Sequence, residues 1–210
     1  MARVITGLDA GRVRENLARV SEGLPDGVEV LAAVKYVPLE ELETLAEAGI
    51  TLVGENRAQD LEAKAAAYPG AFRWHFIGQL QSRKVKAILP HVELIHSVAS
   101  DSALAQLGQH GTADTEVLVQ VDVAGEESKA GIAPQELGAF IARCPVRVTG
   151  LMTMPPFSED PEASRPYFAA LRALAEEHGL PRLSMGTSQD HRVAAEEGAT
   201  IVRLGTSLYA

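Results

Sequence analysis

The sequence has one cysteine, few aromatic residues (5%) and fewer basic than acidic side chains, 19 against 28. Each shortage excludes something. The lone thiol, Cys144, cannot close an internal disulfide, so no disulfide framework holds the chain together. A net charge of -9 leaves no broad basic surface for nucleic acid or an anionic membrane, and any bound anion must be caught locally. No apolar run approaches the roughly 20 residues that span a bilayer; the longest are strand-sized pieces such as Val117 to Val121. The opening stretch MARVITGLDAGRVREN lacks the apolar centre of a secretory signal, which makes the cytoplasm the expected compartment. No cluster of His, Cys, Asp or Glu has convincing metal-ligand spacing, so no metal site is expected.

What is present is the balance of a soluble globular protein, 46% hydrophobic and 22% charged over 210 residues, and a single domain over residues 1–210 is expected. After an amphipathic segment in which Leu8, Val13, Leu17, Val20 and Leu24 recur near helical spacing, short β-rich runs alternate with helix-patterned stretches. Strands are expected at Val28 to Val37, Thr51 to Gly54, Trp74 to Gly78, Leu94 to Val98, Glu116 to Val123, Val146 to Met152, Arg182 to Met185 and Thr200 to Leu204. Helices are expected to start near Pro38, Asn56, Ser82, Asp101, Pro134, Pro161 and Gln189, several opened by proline or a capping side chain. Strands apolar on both faces, alternating with helices, predict an α/β fold: a parallel sheet closed into a (β/α)8 TIM barrel. An open doubly wound sheet is the rival. The barrel is preferred because the strands number eight and Lys35-Tyr36-Val37-Pro38, not a Gly-rich dinucleotide loop, follows the first of them.

In such a barrel, reactive residues sit where strands end. Leu31 to Val37 places Lys35 within an apolar segment, where desolvation would favour a neutral amine able to attack an aldehyde. Taken alone, such a lysine more often lies at an exposed strand end and reaches for water. The last two strands shift that balance. Ser184-Met185-Gly186-Thr187-Ser188 and Arg203-Leu204-Gly205-Thr206-Ser207 are two similar small-polar loops, placed where barrels commonly hold phosphate between backbone amides and hydroxyls. Ordinary turn chemistry would explain one such loop. Arg203 lies inside an apolar strand and needs a fixed acceptor, either a carboxylate or the pyridine nitrogen of a cofactor, which an arginine can only contact as a donor. Asn56 either caps the next helix, the commoner role, or offers its amide to a cofactor ring. His75, within Trp74 to Gly78, reads as a core histidine and is given no catalytic role. Ser82 reads as a helix cap and residues 125 to 129 as a solvated loop.

The segments Ala33-Val34-Lys35-Tyr36-Val37, Gly54-Glu55-Asn56, Trp74 to Ser82, Ile95-His96-Ser97, Gly125 to Gly131, Gly150-Leu151-Met152, Leu183 to Gly186 and Val202 to Thr206 occur in an order that closely resembles the pyridoxal phosphate homeostasis protein family. The resemblance implies a fold-type III barrel like the amino-terminal domain of alanine racemase. It implies a Schiff base between pyridoxal 5′-phosphate and Lys35, Asn56 near the ring, Arg203 at the pyridine nitrogen, and Ser184, Gly205 and Thr206 around the phosphate. Val34, Thr187 and Gln189 depart from residues common in the family, and none removes a group the site requires. A carboxy-terminal basic extension found in relatives is not expected beyond Ala210, so no role resting on one is carried over.

Three functions follow from these residues: a cofactor-binding homeostasis protein that supplies pyridoxal 5′-phosphate to apo-enzymes, an amino-acid racemase, and a cofactor-free Schiff-base aldolase. Racemases resembling this fold take a second acid/base, a tyrosine, from an additional β domain and a dimer partner. The tyrosines here, Tyr36, Tyr68, Tyr167 and Tyr209, all fall in the barrel, so at most weak racemisation is expected. An aldolase leaves Arg203 without a role. The homeostasis reading is therefore preferred, with no dedicated catalytic activity, no nucleic-acid or membrane partner, and a monomer as the expected state.

Overall fold

A strand in a closed parallel barrel meets the barrel interior with one face and the surrounding helices with the other, which is why these strands read as continuous apolar runs. The computed structural model describes residues 4–125 and 130–210. Its eight parallel strands close in sequence order: β1 (Glu29–Ala33), β2 (Leu52–Glu55), β3 (Arg73–Phe76), β4 (Leu94–Val98), β5 (Glu116–Gln120), β6 (Arg147–Met152), β7 (Arg182–Thr187) and β8 (Ile201–Leu204). β8 pairs back with β1, setting Leu31 opposite Arg203. Helix α1 (Ala10–Glu22) precedes the barrel. Each strand is then followed by a helix: α2 (Leu42–Glu47), α3 (Ala58–Ala67), α4 (Val85–Ile88), α5 (Asp101–His110), α6 (Leu137–Arg143), α7 (Arg165–Glu177), α8 (His191–Glu196) and α9 (Thr206–Tyr209).

Two cores result. Leu31, Leu52, Leu94, Leu118, Met152 and Ile201, from six strands, fill the barrel interior. The outer core joins strand residues such as Val53, Ile95 and Val202 to helix residues such as Leu61, Leu107 and Phe168. The α1 stripe behaves as its spacing predicts: Asp9 caps the helix by accepting from the Arg12 N–H, Val13 and Val20 are buried, and Leu8, Leu17 and Leu24 pack against the outer core.

Charged residues at the strand starts join the barrel at the end opposite the βα loops. Arg73 bonds Glu29 at 2.7 Å and Glu93 at 2.9 Å, and Glu116 pairs with both Arg147 and Arg182. The site therefore belongs to the other end.

The eight expected strands are all present, with shifted ends. The correction that matters is β1, which stops at Ala33. The Val34 carbonyl accepts the Val37 N–H at 3.1 Å, so Lys35 lies on a turn after the strand and is exposed. Its expected burial in an apolar run is not observed. Ser82 opens a 3-10 turn with Gln81 at the cap position and is not itself the cap. The short α9 was not expected; its position is fixed by Asn16 of α1, whose amide donates to the carbonyls of Leu208 (3.2 Å) and Ala210 (2.9 Å). Of the loop expected at residues 125 to 129, residues 126–129 lie outside the described residues.

Candidate functional site

Parallel closure puts the ends of β1, β2, β7 and β8 on one rim, and the residues singled out in the sequence converge there. Lys35 follows β1. Its ammonium rests 4.8 Å from the centre of the Tyr36 ring, in a cleft of about 570 Å³ shared with Arg57, Asp60 and Lys64. The backbone around it is tied on both sides: the Ala33 carbonyl accepts from the Tyr209 hydroxyl (3.3 Å), and the Tyr36 carbonyl from the Ile5 N–H (2.8 Å). Burial, then the nearby Glu55 carboxylate, raises the Tyr209 pKa, so this phenol stays protonated and donates.

Asn56 ends the β2 side. Helix α3 begins at Ala58 with Arg57 at the cap position and no side-chain capping bond, so Asn56 is not a cap. Its Oδ1 is buried and has no partner among the described residues, at the edge of a second cleft of about 320 Å³ that also holds Arg57, Arg83 and Lys84. Gly78 is required beside it, because a Cβ there would run into the Asn56 carbonyl. A buried acceptor without a donor costs free energy and is available to a ligand N–H or O–H.

Arg203 projects from β8 into the barrel and is 6% exposed. Its guanidinium donates to the Ser184 hydroxyl (2.5 Å) and to the Thr153 carbonyl (2.9 Å), and it forms no ion pair among the described residues. The Asp190 charge acts on it, but that carboxylate accepts from Ser164 (2.8 Å) and from the Thr187 amide (2.7 Å). Burial lowers the Arg203 pKa to about 10, opposed by Asp190, which leaves it charged at neutral pH. Because a guanidinium only donates, Ser184 must accept from Arg203 and give its own proton to His96 Nδ1 at 2.8 Å. His96 Nε2–H then donates to His75 Nδ1 at 3.0 Å. Burial pushes His75 down to about 3, with Arg73 and Arg182 adding to the shift, and holds His96 well below its ordinary value. Both imidazoles are neutral, as this single-direction chain of donors requires. His75 is thus a buried, hydrogen-bonded core histidine.

The loops after β7 and β8 are tied through Ser188. Its hydroxyl oxygen accepts from the Gly205 amide (3.1 Å), the Ser207 amide (3.2 Å) and the Ser207 hydroxyl (3.0 Å). These three donors form a small nest around one neutral hydroxyl oxygen, and two of them are backbone amides of the type that bind anions. Gly186, within β7, lets α8 pack close to the strand: its φ is 88°, and a Cβ would lie 2.5 Å from the Ala194 methyl. Gly205 and Ser207 supply these donors and Thr206 lies between them in the chain, whereas the Ser184 hydroxyl is turned into the barrel and sits with Arg203. Lys35, Asn56 and Arg203 share the rim but open into three separate clefts. Sequence reasoning placed Ser188 in a phosphate loop without singling it out, and missed His96, Glu55 and Lys64 as parts of the site. Ser188 had a signal, the repeated Gly-Thr-Ser after both strands; the others depend on contacts between distant strands and helices.

Fold and site together define a (β/α)8 barrel with an amine after its first strand and a nest of donors that ties the loops after its last two. Comparison with known proteins gives that class a family. The family model described as alanine racemase, N-terminal domain, matches residues 8–210. The pyridoxal phosphate homeostasis protein of Aquifex aeolicus is 40% identical over 215 aligned positions, covering 94% of each chain. The chain belongs to the alanine racemase N-terminal domain family, among its pyridoxal phosphate homeostasis proteins. Among solved structures, PipY of Synechococcus elongatus PCC7942 is similar both without PLP (TM-score 0.85, 32% identity) and with PLP bound (TM-score 0.83, 31% identity). Each comparison covers 94% of this chain and 100% of PipY.

Proposed function

We propose that this protein binds pyridoxal 5′-phosphate for cofactor homeostasis, holding it as a Schiff base on Lys35 and supplying it to apo-enzymes. The observation that carries the reading is Arg203, a buried and charged guanidinium whose fixed partners are a hydroxyl and a carbonyl in place of the usual carboxylate. A pyridine nitrogen that accepts from it would remain unprotonated. When bound, the cofactor supplies an aldehyde carbon to amines, while its unprotonated ring is a weak electron sink, suited to carriage more than to carbanion chemistry. Gly205 and Thr206 hold the phosphate where the loop donors now converge on Ser188, and the unpartnered Asn56 Oδ1 faces the ring. Ser184 serves the same site by fixing Arg203. The Lys35 side chain leaves the Tyr36 ring and turns inward, a movement permitted by its exposed position and by the lack of an ion-pair partner among the described residues.

The nest predicts a phosphate preference. Charge-assisted hydrogen bonds contribute about 1.5–3 kcal/mol each, so pyridoxal 5′-phosphate should bind at least one or two orders of magnitude more tightly than pyridoxal. Thr206→Ala should narrow that gap without preventing Schiff-base formation at high aldehyde concentration. Titration of both aldehydes, followed by visible absorption, measures it. Equal affinities in the wild type would remove the loops after β7 and β8 from the site.

A further inference from the structure

Lys64 and Glu55 form an ion pair at 2.6 Å with side chains 7% and 0% exposed. Removing two charges from water is costly, and an apolar pair of similar volume often gives equal or greater stability. The connections of the pair give it another purpose. The Lys64 ammonium also donates to the Val34 carbonyl at 2.7 Å, the peptide oxygen immediately before Lys35. The second carboxylate oxygen of Glu55 accepts the amide of Asn56 at 2.6 Å and that of Arg57 at 3.2 Å. One buried pair therefore grips the backbone at both Lys35 and Asn56, across the ends of β1 and β2, from helix α3. The Val34 carbonyl also closes the Lys35 turn by accepting the Val37 N–H. An ammonium on that oxygen fixes the turn that aims Lys35, while Glu55 fixes the ammonium.

We propose that Lys64 and Glu55 are positioning residues that hold Lys35 and Asn56 in register for capture of an aldehyde. The inference rests on the reading of Lys35 as the amine that bonds pyridoxal 5′-phosphate. Lys64 itself does not react: its ammonium has a carboxylate and a carbonyl for partners, whereas Lys35 has neither among the described residues.

The test compares pyridoxal 5′-phosphate, which can bond Lys35, with pyridoxamine 5′-phosphate, which has the same ring and phosphate but no aldehyde. In Lys64→Met, the rate of borohydride-trappable adduct at Lys35 should fall on the order of ten- to a hundredfold, the scale of a small misplacement of a reacting group. Affinity for pyridoxamine 5′-phosphate should stay near the wild-type value, because Glu55 is still present to accept the Asn56 and Arg57 amides. Glu55→Gln keeps an acceptor for the Asn56 amide while removing the counter-charge of Lys64, and should slow adduct formation in the same sense; it decides the matter if Lys64→Met does not fold. An unchanged rate in the folded variants, or an equal loss of affinity for both ligands, would overturn the positioning role. An absence of any Lys35 adduct in the wild type would instead overturn the cofactor reading beneath it.

Discussion

At the scale of single residues, charge states set by burial carry much of the account. His75 and His96 have folded-state pKa values below the unfolded value of 6.5, His75 at about 3. Below pH 6.5 the unfolded chain binds protons that the folded chain refuses, so stability is full above 6.5 and falls as pH drops toward 3. Each histidine contributes a slope of up to about 1.4 kcal/mol per pH unit in that window. His75→Leu should lower stability at pH 7.5, because it strands the His96 N–H, yet flatten the decline between pH 6.5 and 5. Urea melts of both proteins across that range measure the slopes, and parallel curves would mean that His75 does not titrate as its burial requires. None of this was legible from Trp74 to Gly78 alone. A lone histidine in a strand reads as core, and so it is, but its partner lies on β4 and the chain runs on to Ser184 and Arg203 on β7 and β8. Arg203 was legible because a guanidinium in an apolar strand must find an acceptor, and Ser184 was read as a phosphate ligand because its loop was visible while the direction of its side chain was not.

At the scale of elements, the packing of α8 against the end of β7 depends on Gly186. Alanine there would have to adopt a φ of 88° and press its Cβ to 2.5 Å from Ala194 on α8. Strained positions of this kind cost about 1–3 kcal/mol before any steric term. Gly186→Ala should therefore lower the thermal midpoint and weaken binding of inorganic phosphate and pyridoxal 5′-phosphate in parallel, since Ser188 follows two residues later, directly after β7. Calorimetry with and without phosphate checks both effects, and a variant as stable as wild type with intact phosphate binding would show that this packing does not need the glycine. The element boundaries explain what the sequence could not place. Val34 and Val37 are both buried, so Leu31 to Val37 reads as one strand by its apolar content. Only the Val34 to Val37 turn, which hydropathy does not register, puts Lys35 outside β1. Helix α9 escaped notice for a related reason: four residues are too few to show a period, and α9 is held by Asn16 from the far end of the chain.

At the scale of the whole molecule, the barrel divides its labour between two ends. Ion pairs among Glu29, Arg73, Glu93, Glu116, Arg147 and Arg182 join the strand starts, and the strand ends carry Lys35, Asn56, Gly205 and Thr206. The closed fold was legible because eight two-faced apolar runs have few ways to bury both faces, and closure then brings β1 and β8, the first and last strands, side by side. That single neighbour relation is what sets a lysine near the start of the chain and a glycine-threonine loop near its end on the same rim. The central claim is that the site holds pyridoxal 5′-phosphate covalently on Lys35. Its most direct test is borohydride reduction of the loaded protein followed by peptide mapping, alongside the visible spectrum of Lys35→Ala. The account predicts one pyridoxyl adduct, on Lys35, and loss of the visible band in a Lys35→Ala protein that melts as wild type does. An adduct found mainly on Lys64, Lys84 or another lysine, or a visible band that survives in Lys35→Ala, would contradict it.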